Sequence, residues 1–329
     1  MNIDSLKPHT VFFDKARFSH PEYNHVMKGV EELLKCGGLI PVTNCLLGPS
    51  RVGKSVVIEQ IKKQYQIDAL AMEQPIVTIE LESKSSPKMI LESLIESMGV
   101  KPYGNSRKLR RQLNDLAKKK GVRMFIIDET QHAMPQHQNS SASTQAIADV
   151  LKLITDGTQA SVLLVGLEKS KNILLNKFVK HQSCESNEEK QMIGRSFPPM
   201  HIKRIKLNQK ERFMCITKGY QHLFNSLKKK FGISFPNVTE KTMALRLWIA
   251  CRGYFGRLRF LFDFSLEAVD VNGEVTLEIL KITYDKVMSE QTSTNPFSCK
   301  PSELLSIART VEHLEALDEH VKAPDEERK

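Results

Sequence analysis

Residues 48–55 read Gly48-Pro49-Ser50-Arg51-Val52-Gly53-Lys54-Ser55, a glycine-bounded turn that ends in a lysine and a hydroxyl. Those residue types suit a nucleoside triphosphate. Glycine lets the chain wind tightly enough for backbone N–H groups to face phosphate oxygens, and the helix that follows offers its positive end. The spacing implies that ATP is cradled by 48–55 with Val56 continuing into the helix. Lys54 would neutralise the β- and γ-phosphates, and Ser55 would place its hydroxyl on Mg²⁺. A second run, Met124-Phe125-Ile126-Ile127-Asp128-Glu129, carries four apolar residues into two acids. Asp128 can hold the metal from its outer shell, while Glu129 can orient and activate the water that attacks the γ-phosphate. His132, three residues on, is open between such a site and an ordinary packing role.

These residues need a frame that puts both runs at one edge. Residues 39–47 (LIPVTNCLL) read as a strand buried on both faces, 55–65 as a helix and 75–81 (PIVTIEL) as a second strand. Helical patterns at 87–98 and 106–120 precede strands at 123–127 and 161–165, with another helix between those two. A fifth strand is expected at 201–207. The alternation predicts a doubly wound α/β sheet, so both runs follow strands of one parallel sheet. Beyond it only helical periodicity remains: 208–231, 239–251, 255–268 and 276–288, with Asn208 and Thr239 as expected caps. The expected organisation is an irregular arm through Tyr23 and a helix at 22–35 (residues 1–38), an α/β core (39–207), a helical lid (208–290), and a linker with a tail (291–329). The tail helix near 302–318 carries Leu304, Leu305, Ile307, Ala308, Val311 and Leu314. Packing onto the lid competes there with docking to a partner protein, and a docking tail is the expectation.

Composition narrows the class. Hydrophobic residues make up 40% of the 329 and charged residues 26%, as in ordinary globular chains. No window approaches the apolar length of a membrane span and the start lacks a secretory core, so a cytoplasmic location is expected. The six cysteines lack paired spacing, which argues against a zinc site or a disulfide framework. Net charge is +10, yet residues 311–329 hold seven acids against three bases, so the rest sums to +14. Such an excess suits a polyanion such as DNA or RNA.

The two motifs, five strands and a helical lid together resemble the AAA+ superfamily of P-loop ATPases. Within it the chain resembles the TnsC/TniB family of DNA-transposition regulators, through GPSRVGKS, FIIDETQH, SVLLVG and IGRSF, over residues 40–290. The resemblance implies a homo-oligomer, as a ring or helical filament, in which Arg195 reaches a neighbouring subunit's nucleotide as an arginine finger. It also implies that Arg257, with Arg252 competing, serves as second sensor. Double-stranded DNA would lie against Lys84, Lys88, Arg107, Lys108, Arg110 and Arg111, and the partners would be transposase subunits and a TniQ-like target-selection protein. One departure stands out. The fourth strand ends Leu164-Val165-Gly166-Leu167 without the polar residue that commonly acts as first sensor, which puts the hydrolysis rate in doubt. A replication-initiator or clamp-loader-like ATPase would share these motifs but is expected to carry a winged-helix domain, for which no sequence fits after Ala268. A remodelling ATPase that does not bind DNA is the third reading.

Overall fold

The computed structural model describes residues 7–16, 21–65, 72–83, 85–133, 141–171, 173, 197–288 and 294–322. They cluster in two units, one of residues 21–203 and one in which the N-terminal residues up to His20 join those from Arg204 onward.

The first unit is built on five strands: β1 (Thr43–Leu47), β2 (Ile76–Glu80), β3 (Met124–Asp128), β4 (Ser161–Gly166) and β5 (Met200–His201). Their order is β2-β3-β4-β1-β5 and every pairing is parallel. Because all five run one way, their carboxyl ends share one edge, where ligands of open α/β sheets bind. Register fixes the neighbours there: Leu47 pairs with Gly166 and with His201, and Glu80 pairs with Asp128. Strand β1, TNCLL, is buried at every residue, and Val77, Phe125, Ile127, Val162 and Leu164 join one core with the helices. Two of those helices are α4 (Pro87–Glu96) and α5 (Ser106–Lys119), after α2 (Pro21–Cys36) and α3 (Lys54–Gln64); α6 (Ser141–Thr158) follows. Ser86 Oγ accepts from the Met89 N–H at 3.3 Å and Pro87 occupies the first turn, so α4 starts where its donors are satisfied. Asn105 Oδ1 accepts from the Lys108 N–H at 3.1 Å and starts α5 in the same way.

The second unit is helical: α1 (Pro8–Lys15), α7 (Lys210–Phe231), α8 (Lys241–Cys251), α9 (Phe255–Glu267), α10 (Leu277–Val287) and α11 (Leu304–Lys322). Its core stacks Phe13 on Phe224 with ring centroids 6.0 Å apart, and sets Phe262 edge-on to Phe224 at 4.9 Å. Trp248 Nε1 donates to the Ile205 carbonyl at 3.0 Å, which satisfies the one polar atom of a buried indole.

Four local expectations change. The arm before Tyr23 contains a helix, α1, whose Phe13 is fully buried and whose end is tied by Lys7 Nζ to the carbonyls of Glu267 and Val269. The fifth strand is two residues long and starts at Met200, not at 201. Ile202 N–H still donates to Leu47 at 2.9 Å, but Ile205 N–H donates to Gly253 in the helical unit, so the alternation of 201–207 serves two structures. The caps of α7 and α8 are Gln209 and Glu240, one residue after Asn208 and Thr239; both Glu240 oxygens accept backbone N–H groups at 2.9 Å. Finally, α11 packs into the helical core through Leu304, Ala308 and Val311. Of the two readings of that segment, packing is what the structure adopts.

Candidate nucleotide site

Loop 48–53 leaves β1 and enters α3 through two left-handed residues, Arg51 (φ 65°) and Gly53 (φ 108°). Gly53 meets a conformation that side chains resist, whereas Gly48 is needed for space: a Cβ there would lie 2.3 Å from the Ile202 carbonyl oxygen. Gly48 N–H donates to Gly166 at 3.2 Å, which fastens the loop's start to β4. Val52 is buried beneath the loop, while Pro49, Ser50, Arg51, Ser55 and Val56 are exposed. The first N–H groups of α3 have no intrahelical acceptor and point out of this turn. Lys54 is buried, and its ammonium donates to the carbonyls of Gly48 (2.7 Å) and Pro49 (2.8 Å). Burial lowers the Lys54 pKa, and Glu129 and then Asp128 pull it back upward. The lysine of one run and the acids of the other therefore feel each other's charge.

Asp128 ends β3, next to Glu80 of β2. Its pKa is raised, first by burial and then by the charges of Glu129 and Glu80, against the Glu129 N–H bond and Lys54, which lower it. Glu129 is left-handed at φ 55°, and its N–H donates to Asp128 Oδ1 at 2.8 Å. A short 3₁₀ turn, Thr130–Ala133, follows. Thr130 Oγ1 donates to Val165 at 2.9 Å, and Gln131 joins Glu129 to the segment after β4, donating from Nε2 to Glu129 Oε2 and accepting from the Leu167 N–H at 3.2 Å. His132 Nδ1 bonds the Leu81 carbonyl at 2.8 Å, so that nitrogen carries the hydrogen, and Nε2 stands 4.0 Å from Glu129 Oε2. Sequence reasoning missed Thr130 and Gln131. They sit in the run 124–132, but the contacts that tie them to the end of β4 are made more than thirty residues away.

A divalent cation fits the donor set. Ser55 and Asp128 offer hard oxygens, and the crowded carboxylates at Asp128 favour positive charge. No group of three or more metal-ligating side chains occurs among the described residues.

Arg257 begins α9 in the helical unit and stacks on Tyr254, its guanidinium carbon 4.8 Å from the ring centroid. Its pKa is lowered by burial and then by Arg252, and its Nη1 is buried without a hydrogen-bond partner. In the competing Arg252, Nη1 donates to Glu315 Oε1 at 2.8 Å, while Nε is likewise buried without a hydrogen-bond partner. Lys88 is exposed on α4 and pairs with Glu92 at 3.3 Å. Arg107, Lys108 and Arg111 are exposed on α5 with Arg110 half-buried, opposite the buried stripe Leu109, Leu113 and Ala117. Helices α4 and α5 pack together, so the four α5 bases and Lys88 belong to one layer of the unit. Arg195 and Lys84 lie outside the described residues.

A family model described as an AAA domain matches residues 44–174, from β1 past β4. Among solved structures, the chain is similar to the Walker-type ATPase PABY2304 of Pyrococcus abyssi, with 16% identity, a TM-score of 0.52, and 84% of this chain and 77% of that one covered. It is also similar to the ORC2 protein of Aeropyrum pernix, solved as ADPNP and ADP complexes, with 12% identity, a TM-score of 0.54, and 87% and 73% covered. No curated protein matches. The fold shared with these structures is a parallel five-stranded α/β unit accompanied by a helical unit. Among the described residues no helix is long and apolar enough to cross a membrane.

Proposed function

We propose that the chain is an AAA+ ATPase that binds ATP with Mg²⁺, assembles as a homo-oligomer on double-stranded DNA, and regulates transposition by linking a target-selection protein to a transposase. One observation carries the ATPase reading: the buried ammonium of Lys54 lies inside loop 48–53 and shares an electrostatic environment with Asp128 and Glu129, which end another strand of the same sheet. The loop's N–H groups and Lys54 bind the phosphates. Ser55 and Asp128 would hold Mg²⁺, which when bound would neutralise charge on the phosphate oxygens. Glu129 takes the proton of the attacking water. By the resemblance, Arg257 would serve as second sensor, and Arg195 would meet phosphate charge from a neighbouring subunit.

DNA binding rests on the basic face of α5 with Lys88, which asks only for phosphate charge and so would track the backbone with little sequence preference. The transposition assignment rests on the resemblance carried by SVLLVG and IGRSF. A replication-initiator-like ATPase shares the fold and the site.

The test is association of the full chain with linear double-stranded DNA, with and without ATP, across a salt series. ATP should promote binding, and the logarithm of the binding constant should fall linearly with the logarithm of salt concentration. Lys54→Ala should lose the ATP dependence. Salt-independent binding, or none with ATP, would remove DNA from the proposal. Stimulation of a purified transposase from a neighbouring gene by the wild-type chain, and its absence with Lys54→Ala, supports transposition over replication initiation.

A further inference from the structure

We infer that Gln131 is a positioning residue for Glu129, and that it fills from the β3 side the place that a polar first-sensor side chain would occupy at the end of β4. The inference rests on the reading of Glu129 as the base. Strand β4 ends at Gly166 with no side chain to reach the site. The space beside it is taken: a Cβ built on Gly166 would lie 2.4 Å from Ser170 Oγ, 2.5 Å from Thr130 Oγ1 and 2.8 Å from Gln131 Oε1. Three polar groups from other segments thus crowd the position, and glycine is what admits them.

The Gln131 amide is used at both ends. Its oxygen accepts from the Leu167 N–H at 3.2 Å and its nitrogen donates to Glu129 Oε2. Only one orientation of the amide satisfies both, because a flipped group would set its oxygen against a carboxylate and its NH₂ against an N–H. Thr130, buried and bonded to Val165, fixes the turn that presents Gln131. The arrangement therefore ties the Glu129 carboxylate to β4, the strand that also receives the Gly48 N–H of the phosphate loop. With one oxygen held by an amide that cannot accept its proton, Glu129 keeps the other for water.

The test compares Gln131→Ala and the near-isosteric Gln131→Glu with wild type and Glu129→Gln, measuring ATP affinity and kcat at saturating ATP with DNA present. Gln131→Ala should lower kcat about tenfold or more while ATP affinity stays within about twofold. Gln131→Glu can still accept from the Leu167 N–H but cannot donate to Glu129, so it should lower kcat as well, again with ATP affinity within about twofold. A role confined to holding the turn would leave kcat of Gln131→Glu at the wild-type value. Wild-type kcat in either Gln131 variant would overturn the inference. Full turnover in Glu129→Gln would instead remove the base assignment on which it rests, and the two failures are read on different variants.

Discussion

Asp128 and Lys54 are both held against their ordinary ionisation. Asp128 is raised chiefly by burial, so the folded chain binds its proton more tightly than the unfolded chain does. Such a carboxyl favours folding at pH below its unfolded pKa, and that contribution is lost as pH rises through the folded value. At neutral pH the Asp128 charge is thus a cost to stability, which the proposed cation would offset. Asp128→Asn should raise the melting temperature at pH 7.5 in nucleotide-free buffer, since the amide oxygen can still accept the Glu129 N–H, and the gain should vanish toward pH 4. A lower melting temperature at pH 7.5 would show that the charge is stabilised by its surroundings. Lys54 makes the same trade with the opposite sign, its ammonium destabilised by burial and offset by two loop carbonyls.

At the scale of elements, helix α11 shows how acidic sequence can serve the interior. Glu312 bonds the buried guanidinium of Arg204, which also meets Glu319 at 2.6 Å, and Glu315 accepts from Arg252 and from the Tyr254 hydroxyl at 3.0 Å. Three acids spaced along one face therefore answer basic groups of the helical unit. Leu304, at the start of that helix, is 1% exposed within the core. Leu304→Ala should destabilise the helical unit by about 2–5 kcal/mol, read as an earlier denaturant midpoint. An unchanged midpoint would return α11 to the docking role. The loop and the strand before the acids were legible in the sequence because each is a contiguous run whose neighbours repeat the βα period. The short β5, the one-residue shift of caps to Gln209 and Glu240, and the packing of α11 were not. The strand and the packing are decided by partners distant in sequence, Gly253 for Ile205 and Arg204 and Arg252 for the α11 acids, whereas the caps turn on local backbone geometry that residue type alone leaves open by one position. Gln131 was invisible for the same reason, since its meaning depends on Gly166 having no side chain.

For the whole molecule, the net charge of +10 divides into +14 before residue 311 and −4 from there on. Within the helical unit, Glu312 and Glu319 pair with Arg204 and Glu315 pairs with Arg252. The basic face of α5 belongs to the same unit as the nucleotide loop, so under the proposed function nucleotide state and DNA would act through one folded body. That proposed coupling would require a cycle driven at Glu129. Phosphate release from ATP by full-length Glu129→Gln, with ATP binding measured on the same samples, tests the account most directly. The amide cannot take the water's proton, so turnover should fall at least about a hundredfold with DNA present while ATP affinity stays within about twofold of wild type. Turnover equal to wild type would contradict it.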